Sequence, residues 1–346
     1  MKIAVTGSGG FLGSRFVDLY GKENNVIKLR SGQEVDLYTY QLNNYKSIER
    51  CLEGIDVLIH CAFDHTYKHN LIGLTNFIKA GEVQNIKRLV FLSTVSVYDP
   101  YFQGTLSEQS PYSKLRDPYT KEKILLERVV ESLKPSFEVV ILQPTIVYGL
   151  GGNWTQYAFN VCRHASISLP EKGAGICNAV YVDDVVSAMY KSINTSLTDR
   201  VTKLLISGDS NITWGEFYSS HCTTQGVDTT SCSDRDFHNN SMINFIFILW
   251  FTTPLGRLAD LMIASIKKIR ARKYKSIKDT RSVKNILDAP KIESSISPVG
   301  ITRLVHKSDF VVDPVKAEKL IGYKPNYTFK KGIVGMFKDI ERIKSE

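Results

Sequence analysis

The chain has little from which to build a metal centre, a disulfide framework or a membrane span. Its 346 residues include seven histidines and six cysteines: Cys51, Cys61, Cys162, Cys177, Cys222 and Cys232. None falls into CxxC, HxH or HExxH, the spacings that aim ligands at one ion, so no metal is expected. Several cysteines lie in apolar runs and read as buried free thiols of a reducing compartment. No run of about 18 apolar residues occurs, which argues against a transmembrane helix. The opening MKIAVTGSGG lacks the apolar stretch of a secretory leader, so a cytoplasmic protein is expected. Hydrophobic residues make up 43% of the chain and charged residues 23%, enough for a full core.

A basic surface is also missing, although the formal net charge is +9. Residues 267–284, KKIRARKYKSIKDTRSVK, hold nine Lys/Arg against one Asp, a local +8. The rest is near neutral, so no nucleic-acid partner is inferred.

What is present is alternation. KIAVTG (2–7), NNVIKLR, DVLIHCAF, KRLVFLST and EVVILQPTIVYG read as strands, separated by helical patterns such as NLIGLTNFIKAGEVQ and PYTKEKILLERVVESL. Near-continuous apolar strands interleaved with helices predict an α/β fold: a Rossmann-type, doubly wound parallel sheet covered on both faces. After about residue 150 the alternation loosens. A smaller, mixed C-terminal substrate-binding domain is expected there. The proposed division assigns 1–170 plus about 178–207 to the dinucleotide domain, and about 171–177 and 208–346 to the substrate domain. An apolar and basic insertion occupies 243–284. No internal repeat appears.

Strand one runs into Gly7-Ser8-Gly9-Gly10-Phe11-Leu12-Gly13. Glycines at a strand-to-helix turn let the backbone approach a pyrophosphate, which then faces the N–H groups and dipole of the following helix. Such sites usually carry an acid at the end of strand two to hold a ribose 2′-hydroxyl. Here that acid is absent, and Arg30 and Ser31 stand in its place. An arginine there can pair with a 2′-phosphate, which favours NADP, with NAD as the alternative. The plainer reading leaves Arg30 in solvent. Asp36 is a candidate for the adenine amino group or, equally, a helix N-cap.

TGSGGFLG, IHCAF, FLSTVSVY, YTKEK and VYVDD, in this order, resemble the extended short-chain dehydrogenase/reductase superfamily, specifically its NAD-dependent epimerase/dehydratase family. The likeness covers nearly the whole chain, including the tail DPVKAEKLIGYKPNYTFKKGI (313–333). It implies that Tyr119 is the acid/base at a substrate hydroxyl or carbonyl while hydride moves to or from a nicotinamide. Tyr119 and Lys123, at i and i+4, share a helix face. The resemblance gives Lys123 the nicotinamide ribose, and its ammonium is expected to lower the phenol's pKa. Thr94 takes the place of the hydroxyl that bonds the same substrate oxygen, with Ser96 as its substitute or as a substrate contact. Ala62 and Pro144, with Gly7, Gly10, Phe11, Leu12 and Gly13, complete the expected cofactor contacts.

The acid pair that dehydration needs is missing: Val95 and Ser96 follow Thr94. Valine transfers no proton, so epimerisation through a keto intermediate or keto-sugar reduction remains. The resemblance makes a nucleotide sugar the expected substrate, with Asn178 and Arg303 as further contacts. His306 stands where the family has an acid, and Gln143 where it has an arginine. VDD (182–184) reads as a helix cap, and His60 as a packed residue.

Two alternatives accompany this reading. INFIFILWFTTPLGRLADLMIASIKKIRARKYK (243–275) joins an apolar run to a stripe of Leu258, Leu261, Met262, Ile266 and Ile269 with a cationic flank. That pattern suits a helix at an anionic membrane surface and a sterol- or lipid-type substrate, or a helix packed on the substrate domain. The other alternative is a dinucleotide-binding sensor or structural subunit without turnover. A homodimer stays open.

Overall fold

The computed structural model describes residues 1–32, 37–64, 66–115, 117–223, 292–296 and 305–345. Six parallel strands form the central sheet: β1 (Lys2–Thr6), β2 (Asn25–Lys28), β3 (Val57–His60), β4 (Arg88–Leu92), β5 (Glu138–Pro144) and β6 (Val201–Ile206). Their order is β6-β5-β4-β3-β1-β2. The order reverses beside β1, so a crevice opens at the C-terminal ends of β1 and β3, where open α/β sheets bind ligands.

The alternation of side chains along each strand builds two cores. Ile3, Val5, Val90, Leu92, Val140 and Leu142 face one side, with Phe16 of α1 (Phe11–Tyr20) and Val185, Val186 and Met189 of α6 (Val182–Lys191). Ala4, Leu58, Leu89, Phe91, Val139 and Ile141 face the other. They pack on α2 (Tyr45–Cys51), α3 (Tyr67–Val83) and α4 (Pro118–Leu133). Each fully buried aliphatic side chain here contributes about 1.5–3 kcal/mol.

The apolar run at 138–149 is two strands rather than one. After Pro144 the chain leaves the sheet, and Ile146–Tyr148 pairs in parallel with Ala179–Tyr181. NNVIKLR divides likewise: Arg30–Ser31 pairs with Thr39–Tyr40. Beyond the sheet, α5 (Asn153–Val161), α7 (Trp214–Thr223), α8 (Val315–Ile321) and α9 (Phe329–Ser345) extend the first core. Tyr148, Trp214, Phe217, His221 and Phe329 form an aromatic cluster within it.

The cysteines correct the free-thiol expectation. Cys162, just after α5, is disulfide-bonded to Cys222 in the last turn of α7, with Cα atoms 5.1 Å apart. Spacing could not reveal this pair, because 60 residues separate its members. Cys51, Cys61 and Cys177 are free. Cys232, Asp36, Arg303 and the insertion 243–284 lie outside the described residues. Among the described residues no helix is long and apolar enough to cross a membrane.

Candidate active site

The glycine turn is built by close approach. Gly7 has φ +65°, and a Cβ there would stand 2.7 Å from the Ala62 nitrogen. A Cβ on Gly13 would lie 2.2 Å from the Gly7 carbonyl oxygen. Both positions therefore exclude a side chain. Gly10 donates its N–H to Gly7 O at 2.8 Å and caps α1 without a side chain. The N–H groups of the first turn, from Phe11, Leu12 and Gly13, have no intrahelical acceptor. The Phe11 ring turns away to pack on the loop at Gly152. This cradle fits a pyrophosphate.

Thr6 ties the turn to the neighbouring strand. Its Oγ1 accepts the Ala62 N–H at 3.2 Å and lies 2.9 Å from His60 Nδ1. His60 is buried between the rings of Phe77 and Phe91. Burial first, then the Lys123 charge, pushes its pKa down to about 3, which suits a packed neutral imidazole. Arg30 is exposed in its short strand, with its backbone N–H on Tyr38 O.

α4 carries Tyr119 and Lys123. Asp117 accepts the Thr120 N–H at 2.8 Å as N-cap, and Pro118 occupies the first turn, where its missing N–H costs nothing. This start points Tyr119 and Lys123 toward the end of β4. Lys123 Nζ donates to Leu92 O at 2.9 Å and lies 4.7 Å from the Phe63 ring centroid and 5.9 Å from that of Tyr119. Burial pushes the Lys123 pKa down to about 8, against Glu122, Glu127 and Cys61, which raise it. Thr94 Oγ1 accepts the Ser96 N–H at 3.2 Å. Its hydroxyl also lowers the pKa of the Tyr119 phenol. Crowding around the ring outweighs this and pushes Tyr119 up to about 12. The side chain is 43% exposed, so water screens part of that cost. The expected lowering by Lys123 is therefore corrected: the ammonium is committed to Leu92 O, and Thr94 is the group that lowers the phenol.

Two buried hydroxyls near this point, Ser96 Oγ and Thr145 Oγ1, have no hydrogen-bond partner. An unpaired buried hydroxyl costs about 1–3 kcal/mol, so a ligand that bonded them would gain. Pro144, which ends β5 just before Thr145, is buried.

Asn178 is placed differently from the expectation. Its Nδ2 donates to Phe310 O at 2.9 Å and its Oδ1 accepts the Val312 N–H at 3.1 Å. Both ends of the amide brace the C-terminal segment. His306 is fully buried, 2.7 Å from the Tyr218 hydroxyl and stacked on Trp214. VDD does not cap α6 either: Asp183 pairs with Arg15 at 2.6 Å, and Asp184 accepts the Asn326 N–H at 2.7 Å. The sequence reading missed Phe63, Ser93 and Glu127. Glu127 had a signal, because a polar residue at i+4 from Lys123 continues one face of α4.

Fold and site define a Rossmann-type dinucleotide-binding protein with a Tyr–Lys–Thr constellation at the sheet's C-terminal edge. The model of the NAD dependent epimerase/dehydratase family matches residues 3–202, and the chain belongs to that family. It is 32% identical over 183 residues to the uncharacterized UDP-glucose epimerase YtcB of Bacillus subtilis, covering 43% of this chain and 57% of that protein. It is 26% identical over 212 residues to a 2-alkyl-3-oxoalkanoate reductase of Stenotrophomonas maltophilia, covering 55% and 64%. In both, the match spans less than two thirds of the relative's length. The fold is shared with a UDP-glucose 4-epimerase of Thermotoga maritima solved with UDP-glucose (TM-score 0.66, 18% identity, 100% of each chain). It is also shared with a UDP-glucuronic acid 4-epimerase of Bacillus cereus solved with NAD (TM-score 0.64, 16% identity, 99% of each chain).

Proposed function

We propose that the protein is an NAD(P)-dependent enzyme acting on a nucleotide sugar, by epimerisation through a keto intermediate or by keto-sugar reduction. The observation that carries this is the placement of Thr94, Tyr119 and Lys123 beside the glycine cradle. In this reading Gly7, Gly10, Phe11, Leu12, Gly13, Ala62 and Pro144 hold the dinucleotide, which supplies or accepts the hydride when bound. Thr94 and Tyr119 grip one substrate oxygen between them. Thr94 is oriented by the Ser96 N–H, and Tyr119 moves the proton. Lys123, one turn on from Tyr119 on the same helix face, holds the nicotinamide ribose hydroxyls.

Arg30 follows Leu29, whose carbonyl oxygen meets Ser8 of the glycine turn, and this position supports NADP over NAD through pairing with a 2′-phosphate, with NAD as the alternative. Val95 after Thr94 supports epimerisation or reduction over dehydration. Arg303 and Ser96 are substrate contacts in this proposal, and the chain divides into the two domains given above. A cytoplasmic location, with peripheral membrane contact through 243–284, belongs to the same reading.

A second reading, reduction of an apolar ketone, has its own support. The match to the 2-alkyl-3-oxoalkanoate reductase covers more of this chain than the match to YtcB. In addition, the exposed rings of Phe63 and Tyr119 meet edge to face with centroids 5.7 Å apart, and Tyr67 is exposed as well. The experiment is incubation with UDP-glucose, with UDP-glucuronic acid and with a 2-alkyl-3-oxoalkanoate, each with NAD+, NADH and NADPH. Absorbance at 340 nm and product mass are followed. Sugar conversion without net cofactor change marks an epimerase. Stoichiometric NADPH loss marks a reductase. Turnover of the oxoalkanoate alone replaces the sugar reading with the second.

A further inference from the structure

We propose that Glu127 is a positioning residue that clamps the ends of β4 and β5 to α4, and so sets where Thr94 and Pro144 stand relative to Tyr119 and Lys123. The inference rests on the site reading above and adds a residue to it.

Glu127 is fully buried, and a buried carboxylate is tolerated only where donors surround it. Its donors come from four separate segments. Ser93 Oγ, at the end of β4, bonds Oε1. Gln143 Nε2, near the end of β5, reaches both carboxylate oxygens at 3.0 and 3.1 Å. The Tyr112 hydroxyl donates to Oε2 at 2.8 Å, and Lys203 Nζ of β6 stands 3.7 Å from the same oxygen. The two strand ends are also bonded to each other, Ser93 N–H to Leu142 O at 2.8 Å.

Ser93 and Gln143 are each followed by a residue of the candidate site, Thr94 and Pro144. Along α4, Tyr119, Lys123 and Glu127 repeat every fourth residue and share one face. Lys123 bonds Leu92 O, and Glu127 bonds Ser93. Leu92 and Ser93, the two residues directly before Thr94, are thus held by two consecutive turns of α4. An apolar residue at 127 would fill the space but would hold neither strand end. The carboxylate has a second effect, on Lys123. Glu122 and Glu127 from α4, and Cys61 from the segment after β3, favour its ammonium, while burial opposes it. His60, packed nearby, is neutral.

The test uses the full-length chain and needs no substrate. Glu127→Gln keeps the shape and an acceptor but removes the charge. Ser93→Ala removes one bond only. Amide hydrogen exchange is expected to quicken about tenfold or more at 93–97 and 143–146 in Glu127→Gln, and at 93–97 in Ser93→Ala, with the rest of the sheet unchanged. NMR titration of [ε-13C]lysine, with Lys123 assigned by its loss in Lys123→Arg, is expected to show a lower Lys123 midpoint in Glu127→Gln. Ser93→Ala leaves that midpoint in place. Native exchange at both strand ends, or acceleration spread evenly over the whole chain, overturns the proposal. Should Glu127→Gln fail to fold, Ser93→Ala decides by the same exchange pattern. Failure of the site reading is separate: a fully active Tyr119→Phe enzyme would remove the catalytic assignment whatever the exchange shows.

Discussion

Lys123 donates its ammonium to the carbonyl oxygen of Leu92 at 2.9 Å, from a side chain only 6% exposed. This bond anchors the Tyr119–Lys123 face of α4 to β4, and the same burial makes the charge sensitive to pH. The Lys123 pKa stands at about 8, against 10.5 for an ordinary lysine. Turnover that requires the ammonium is expected to fall as pH rises through about 8. Stability follows the opposite sign. Between pH 8 and 10.5 the unfolded chain holds this proton and the folded chain does not, so the Lys123 contribution to stability rises across that window. A rate–pH profile paired with denaturant midpoints checks both directions. A flat profile from pH 7 to 9 would remove the ammonium from the mechanism.

Tyr119→Phe removes the proposed proton-transfer hydroxyl and keeps the ring against Phe63. Activity is expected to fall about 10²–10⁴-fold. The melting temperature should stay close to native, because Tyr119 is 43% exposed and the ring that packs on Phe63 is kept. Thr94→Val removes the hydroxyl that lowers the phenol and is proposed to bond the substrate oxygen, so a smaller loss is expected, with the acid/base limb of the pH profile moved upward. Single-turnover kinetics with either reduced dinucleotide, beside thermal melts, separate the chemical effect from the structural one.

The parallel sheet, the glycine turn and the Tyr–Lys pair were legible because each depends on local pattern: apolar runs, a strand-to-helix glycine cluster, and an i,i+4 spacing. The change of strand partner after Pro144 was not, since an apolar strand reads the same whether it stays in one sheet or switches partner. Asn178 was misplaced because a polar residue before an apolar strand looks free to meet a ligand. Its partners, Phe310 and Val312, lie over 130 residues away. The role of Lys123 was legible as to charge but not as to target. Leu92 O takes the ammonium because β4 ends directly beneath that turn of α4.

Gly13→Ala tests the cradle by geometry alone. The added methyl would lie 2.2 Å from Gly7 O and 2.8 Å from Gly7 C, both rigid backbone atoms. The turn must open to admit it, at a cost of about 1–3 kcal/mol. Dinucleotide affinity, read by nicotinamide fluorescence, is expected to fall by at least about tenfold, while the α/β circular dichroism signal persists. Gly9→Ala is the control. A Cβ there meets nothing within 4 Å, so its melting temperature should match the native chain.

The Cys162–Cys222 bond links the end of α5 to the last turn of α7 across 60 residues of sequence. Closing a loop of that length removes conformational freedom from the unfolded chain, a stabilisation of about 4 kcal/mol on the entropy model. Reduction, or the double substitution Cys162→Ala with Cys222→Ala, is expected to lower the thermal midpoint. Both residues are buried in the core that carries Tyr148, Trp214 and Phe217, so α5 and α7 should loosen first. The glycine turn and the first turn of α1 include neither cysteine. Reduced-dinucleotide affinity should therefore stay native while exchange quickens at 153–162 and 214–223. Equal midpoints with and without reductant would show that this bond adds nothing to the folded chain. Loss of dinucleotide binding on reduction would show that the α5–α7 unit supports the cradle as well as the C-terminal half.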